Sequence, residues 1–195
     1  MNNTFFEILR PGINTTIQDL GRNNLYHIGV TISGAMDQRN YKIANALVGN
    51  PIDNAVIEFA YQGPLLKLKN GSLNFAITGD VNFSIIKNNN EIQKGECYQN
   101  YILNDEDKID IISTQKSVYG YIAVGGILNV EKIWNSYSIN TKANIGPNNG
   151  KKYSINEKIF IKNLNEKFNN KKKITYKKSF NNTIRVIKGP HFDHF

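Results

Sequence analysis

Charged, amide and hydroxyl side chains crowd the stretch from Pro11 to Asn50, where glycines recur between them. Asp19 and Arg22 flank Gly21, Ser33-Gly34 and Asp37 follow, and Asn45 lies eight residues further on. An apolar core element would not hold so many polar groups unless they were paired or served a ligand. The planar guanidinium of Arg22 can grip a carboxylate, or it can pair with Asp19 and lock the Gly21 turn. Asp37 is placed to cap a helix, with a ligand role as the alternative. The Asn45 amide offers both a donor and an acceptor, which suits a ureido or lactam edge or a neighbouring loop. Glu58 interrupts Val56-Ile57-Glu58-Phe59-Ala60. A charge there demands a partner, with Arg22 or Arg39 available, or else serves as a general base. Thr78-Gly79 ends a strand pattern as a hairpin turn, and Gly125-Gly126 is either a plain turn or a close backbone approach that seats an anion.

These groups need elements to position them. Asp37 as N-cap, the apolar face Tyr41, Ala44, Leu47 and Val48, then Gly49 and Pro51, predict one helix over Asp37–Val48. Phe5–Leu9 predicts a first strand, and Thr15–Gly34 a turn-rich connection with a short strand near Tyr26–Val30. Strands follow at Ala55–Tyr61, Leu65–Leu68, Ser72–Thr78, Val81–Lys87, around Ile92, and at Tyr98–Leu103, Lys108–Ser113 and Val118–Val124. Asn70-Gly71 is expected to be a hairpin turn, and Asn88-Asn89-Asn90 another turn. Glu131–Ser136 suggests a helical turn, Ala143–Lys152 a polar loop, and Asn156–Lys162 and Ile184–Ile187 further strands. Short strands at this spacing predict a mainly β fold, either a closed antiparallel barrel or a sandwich.

A chain of 195 residues is long enough for a substantial core. Its net charge of +8 is local: residues 162–188 carry nine basic side chains and one acid, and the remainder balances. That segment reads as a solvated linker or hairpin rather than a nucleic-acid face, although Phe168, Tyr176 and Phe180 lie in it. The single Cys97 allows no internal disulfide. The N-terminus lacks a basic region followed by a long apolar core, and the longest apolar run, Tyr121–Val130, is broken by Gly125-Gly126. A cytoplasmic protein with no membrane partner is expected. His191, Asp193 and His194 cluster near the C-terminus without a distant third ligand, so no metal site is expected. No phosphate loop ending in Lys-Ser/Thr occurs, so ATP has no motif of its own in this chain.

The string Thr15-Thr16-Ile17-Gln18-Asp19-Leu20-Gly21-Arg22, then Gly29, Ser33-Gly34-Ala35-Met36-Asp37 and Ala44-Asn45-Ala46-Leu47-Val48-Gly49-Asn50, resembles the opening of a known family. Glu58, Gly63-Pro64, Thr78-Gly79, Tyr121–Val124 with Gly125-Gly126, and Gly189-Pro190 with Asp193 and Phe195 extend the likeness nearly end to end. The family is the biotin-dependent carboxyltransferases, whose members are also called allophanate hydrolase subunit 2, the C subunit of 5-oxoprolinase, or the KipI antagonist. The resemblance implies a cyclophilin-like closed β-barrel with one main helix, plus the first strand of a second barrel. The expected division is residues 1–164 for the first subdomain, 165–183 for a basic boundary, and 184–195 for the start of a second subdomain. Full members are longer and carry a glycine-rich Gln-Thr-Thr-Gly-Gly-Tyr-Pro segment that has no match here. The chain is therefore expected to lack the C-terminal half and to be inactive alone.

By resemblance, the chain would be one component of an ATP-dependent 5-oxoprolinase, which opens 5-oxoproline to glutamate. Carboxyl transfer from carboxybiotin to a urea-like substrate is an alternative, as are a non-catalytic regulator of a KipI-like partner and an inactive fragment. ATP would act through the complete assembly. Biotin would have no carrier motif in this chain, because no Met-Lys pair occurs. Implied partners are a subunit-B-like (KipI-like) protein and the A subunit of 5-oxoprolinase. The implied catalytic set is Asp19, Arg22, Asp37, Asn45 and Glu58. Ser33, Gly34, Thr78, Gly79, Gly125 and Gly126 would bind substrate. Two loops depart from the family pattern: Asn135-Ser136-Tyr137-Ser138-Ile139 replaces Gly-Ser-x-Ser-Thr, and Asn156-Glu157 stands where Gly-Asp is expected.

Overall fold

A computed structural model describes residues 3–165, 171–175 and 186–192. Twelve strands and one α-helix follow in order. They are β1 (Phe5–Arg10), β2 (Asn14–Gln18), α1 (Gln38–Leu47), β3 (Val56–Ala60), β4 (Leu65–Lys69), β5 (Leu73–Thr78), β6 (Val81–Ile86), β7 (Ile92–Lys94), β8 (Asn100–Leu103), β9 (Lys108–Thr114), β10 (Tyr119–Val124), β11 (Ile127–Leu128) and β12 (Lys158–Lys162). They form two antiparallel sheets. One has seven strands in the order β11-β12-β1-β4-β9-β6-β7, and the other has five in the order β2-β3-β10-β5-β8. Among the described residues no strand ladder joins the two sheets into one ring.

Period-2 alternation explains the packing. On the five-stranded sheet, Ile57, Phe59, Phe75, Ile77, Ile122 and Val124 point into a core shared with Phe6, Ile8, Leu66, Phe83 and Ile109 of the other sheet. The opposite face carries Val56, Ala76, Tyr121 and Ala123, on which α1 lays Tyr41, Ala44 and Leu47. The small residues Ala76 and Ala123 let the helix sit close. The helix does not cover the whole face, and the part beyond it, at Thr16 and Glu58, stays open to a cleft.

The helix bounds follow their local signals. Asp37 caps it, accepting from the Asn40 amide at 3.0 Å and from the Asn40 side-chain nitrogen at 2.6 Å. At the other end Gly49 takes a left-handed φ of 75°. Asp37→Ala is expected to cost on the order of 1 kcal/mol. A urea titration checks this, and a loss below a few tenths would show that the cap is dispensable.

Several segments differ from expectation. Asn14–Gln18 is a strand, β2, within the stretch read as turn-rich. Tyr26–Ile28 is a single 3-10 turn rather than a strand. Glu131–Ser136 forms no helical turn; Ile133 and Ser136 instead exchange an isolated bridge. Asn70-Gly71 joins no hairpin, because β4 pairs with β1 and β9 while β5 pairs with β10 and β8. Only Asn70 there has positive φ, whereas the type I′ hairpin turn that Asn-Gly favours needs it at both positions. Thr78-Gly79 likewise carries the chain from one sheet to the other. β11 is an added strand. Of the expected Ile184–Ile187 strand, residues 184 and 185 lie outside the described residues, and Val186 and Ile187 are not in a strand. Asp193, His194 and Phe195 also lie outside them, as does most of the basic segment. Residues 171–175 lie beside β8, where the Asn100 amide donates to the Lys172 carbonyl at 3.0 Å.

Candidate functional site

Strand register builds a polar row across the helix-side face of the five-stranded sheet. Thr16 pairs with Glu58, Glu58 with Tyr121, and Tyr121 with Thr78. Directly opposed residues of antiparallel strands share a face, so these four side chains stand side by side. Thr78 is covered by α1 and donates its hydroxyl to the Asn40 carbonyl at 2.8 Å. Thr16 and Glu58 lie beyond the helix, at the floor of a cleft of about 220 Å³. β2 adds Asn14 and Gln18 to the lining, and β10 adds Tyr119. The connection before α1 adds Thr31, Ser33, Gly34 and Met36, and the 139–142 turn closes the far side with Asn140, Thr141 and Lys142.

Glu58 is the acid of this cleft and is only 4% exposed. Its Oε2 accepts the Met36 amide at 2.8 Å. The Tyr121 hydroxyl accepts the Asp37 amide at 2.6 Å and bonds the Glu58 carboxylate. Burial pushes the Glu58 carboxyl above its ordinary range, the bonds from Met36 and Tyr121 pull it back, and the charge of Asp37 adds to the rise. A buried carboxyl whose pKa is raised holds its proton more readily than an exposed one, which suits a group that takes and returns a proton. Burial, followed by Glu58 itself, likewise raises the Tyr121 phenol.

Gln18 is the second unusual group, 5% exposed. Its Nε2 donates to Thr16 Oγ1 at 3.0 Å and to the Ile139 carbonyl at 2.9 Å, which fixes the amide orientation. Its Oε1 is buried and has no partner among the described residues. An unmet buried acceptor costs about 1–3 kcal/mol.

Asp19 and Arg22 form the wall behind the cleft. Asp19 accepts from the Gly21 amide at 2.8 Å, the Ser136 hydroxyl at 2.7 Å, the Tyr137 amide at 2.7 Å and the Ser138 hydroxyl at 2.5 Å. It thus locks the Gly21 turn through the 136–138 loop and not through an ion pair with Arg22. Gly21 itself, at φ +87°, leaves a Cβ only 2.5 Å from the Ile32 carbonyl oxygen. Arg22 is 2% exposed and donates to Ser33 Oγ at 3.2 Å and to the Ser138 carbonyl. Burial lowers the pKa of its guanidinium, and the charge of Asp19 opposes that shift. The Arg22 fork therefore holds Ser33 and the loop, while Glu58, for which Arg22 or Arg39 was the expected partner, takes the Met36 amide and the Tyr121 hydroxyl.

The carboxyltransferase domain family, subdomains A and B, matches residues 28–195. The chain belongs to this carboxyltransferase family. Urea amidolyase of Saccharomyces cerevisiae is 30% identical over 159 residues, covering 81% of this chain and 8% of that protein. The C subunit of 5-oxoprolinase from Haemophilus influenzae is 29% identical over 140 residues, covering 72% of this chain and 44% of that one. The Escherichia coli protein of the same name is 24% identical over 189 residues, 97% of this chain and 59% of its own length. Among solved structures, Kluyveromyces lactis urea amidolyase superposes with a TM-score of 0.77 at 25% identity, over 84% of this chain and 10% of that one. TTHA0988 superposes at 0.82 and 23% identity, over 97% of this chain and 37% of that one. The chain therefore spans less than two thirds of the length of these relatives.

Within this carboxyltransferase chain, the expected site residues divide by position. Ser33, Gly34 and Glu58 line the cleft. Asp19, Arg22 and Asp37 support it from behind. Asn45 is fully buried elsewhere, donating to the Asn54 carbonyl at 2.8 Å and accepting from Asn50 at 3.1 Å. Thr78 lies under the helix, and the Gly79 amide points at the Tyr98 hydroxyl, 3.3 Å away. Gly125 and Gly126 follow the far end of β10 from Tyr119, roughly 17–20 Å along a six-residue strand. Their amides donate to the Asn74 carbonyl at 2.7 Å and to Asn50 Oδ1 at 3.2 Å. Gln18 belongs to the polar cluster between Pro11 and Asn50, but local sequence pattern does not single out Thr16, Tyr121, Ser136, Ser138 or Asn140. Ser136 and Ser138 stand in the Gly-Ser-x-Ser-Thr-like segment, so their spacing is the available signal. Among the described residues no helix is long and apolar enough to cross a membrane.

Proposed function

We propose that the cleft beside Glu58 binds a small cyclic or linear amide, and that the chain serves in a 5-oxoprolinase as the counterpart of its C subunit. The observation that carries the reading is the pairing of a buried, proton-poised Glu58 with the orphaned Gln18 carbonyl in one small polar cleft. Glu58 receives a ligand N–H or proton, Gln18 offers a second acceptor, and the Thr16 and Ser33 hydroxyls supply donors for a carbonyl, with Ser33 held in place by the Asn140 amide, which donates to its Oγ at 3.1 Å. About 220 Å³ is below the roughly 300–1,000 Å³ typical of drug-sized ligands, which favours a ligand group as small as a five-membered lactam beside Glu58. ATP use is assigned to the A and B components of the assembly. The names of the two bacterial relatives favour 5-oxoproline as the substrate.

The likeness to urea amidolyases supports a second reading, in which the same cleft holds urea or the ureido ring of carboxybiotin for carboxyl transfer. A ureido group presents the same N–H and C=O edge as a lactam. The test combines the purified chain with the A and B components of a 5-oxoprolinase, ATP and 5-oxoproline, adding the remaining part of a relative's C component in trans. ATP-dependent glutamate formation that requires this chain and is lost in its Glu58→Gln variant is the expected result. Glutamate formation that is indifferent to this chain overturns the reading, and bicarbonate-dependent carboxylation of urea in its place selects the second one.

A further inference from the structure

A second cleft of about 480 Å³ opens beside the first, lined by Asn14, Thr141, Asn144, Lys151, Lys152 and Ser154. Asn14 and Thr141 line both clefts, so one ligand can reach across. The walls are held from behind. Tyr153 is buried, and its amide donates to the Thr15 carbonyl at 2.9 Å, which sets Lys152 and Ser154 on either side of it along the outer edge of β2. Opposite, Asn140 and Ile145 exchange backbone bonds of 2.7 and 3.1 Å, and Asn140 Oδ1 accepts the amides of Lys142 and Ala143, both at 3.1 Å. The two walls are thus turns with fixed shape rather than free loops.

The charges around these clefts do not balance. Lys152 donates its ammonium to the Ile13 carbonyl at 3.0 Å, and no ion pair holds Lys142 or Lys151 among the described residues. Glu157 is close in sequence, but its Oε2 accepts the Ser154 amide at 2.7 Å and the Asn148 side chain at 3.3 Å. Glu58 is the one acid in either lining, and burial favours its neutral form. Three ammonium groups therefore border the joined clefts, and the second cleft is otherwise lined by the hydroxyls and amides of Asn14, Thr141, Asn144 and Ser154, a set of donors that an oxyanion satisfies.

We infer that the second cleft is an oxyanion subsite, which takes a phosphate or carboxylate group of the ligand whose amide lies beside Glu58. This rests on the amide reading of the first cleft. The test uses Lys151→Gln/Lys152→Gln, both exposed positions whose replacement leaves the core intact. Inorganic phosphate and malonate are titrated at low salt and followed by amide chemical shifts. Wild type is expected to bind at least one of them with shifts at Asn14 and Thr141, and the double variant to weaken that binding about tenfold or more. The tighter of the two probes names the group. Wild type should also prefer 5-oxoproline over neutral 2-pyrrolidinone, with the preference lost in the double variant and pyrrolidinone binding unchanged. Equal probe affinity in wild type and variant, or no binding by either probe, overturns the subsite. If pyrrolidinone still shifts the Glu58 cleft in that case, the amide reading survives. If neither lactam binds while a probe binds through the lysines, the amide reading fails and the oxyanion site stands.

Discussion

Asp19→Ala is expected to destabilise the protein by about 3 kcal/mol or more, the largest stability effect among the polar positions considered. Four donors converge on this carboxylate, two backbone amides and two serine hydroxyls. Removing it leaves them unmet in a site only 6% exposed. Asp19→Asn should be nearly as harmful, because its amino group would face donors. The 136–138 loop also holds the Arg22 guanidinium through the Ser138 carbonyl, so the cleft wall should loosen with it. Urea unfolding measures the effect. A loss under about 1 kcal/mol would mean that the loop is held by other contacts.

Glu58→Gln should do the reverse, sparing the fold while removing ligand chemistry. The carboxyl is raised in the folded state above the ordinary 4.5. The folded protein therefore holds its proton where the unfolded chain has lost it, so stability falls as pH rises from about 4.5 through the folded-state value. Above that value the cost is complete and constant. The Gln variant should lack this slope and stay within about 1 kcal/mol of wild type at neutral pH. Turnover in the assembly should fall at least about 100-fold, the lower range for loss of a general acid or base. A variant that keeps the pH slope would show that another group titrates there. One that keeps turnover would remove Glu58 from the chemistry.

The helix was legible because its signals are local: the Asp37 cap, the Tyr41–Val48 face and the Gly49 stop all lie within its own segment. Glu58 was legible as an anomaly, since a lone acid inside an apolar strand demands a reason. β2 was not. Asn14, Thr16 and Gln18 alternate with Thr15 and Ile17, and a strand with a polar outer face reads as a turn in isolation. That polar face lines the cleft, so the same feature hid the strand and made the site. Asn70-Gly71 misled because a left-handed Asn serves a sheet-to-sheet crossing as well as a hairpin. The roles of Ser136 and Ser138 depend on Asp19, well over a hundred residues earlier, and a reading of local pattern has no access to such a partner.

A small amide is proposed to bind between the Thr16–Glu58 row and the 139–142 turn. The direct measurement is a titration of the isotopically labelled chain with 5-oxoproline, following backbone amide shifts. Saturable shifts are expected at Thr16, Gln18, Ser33, Gly34, Asn140 and Thr141, and these vanish in Glu58→Gln. Shifts centred on Asn45, Gly125 and Gly126 at the other end of the sheet, or no saturable shifts at all, would contradict it.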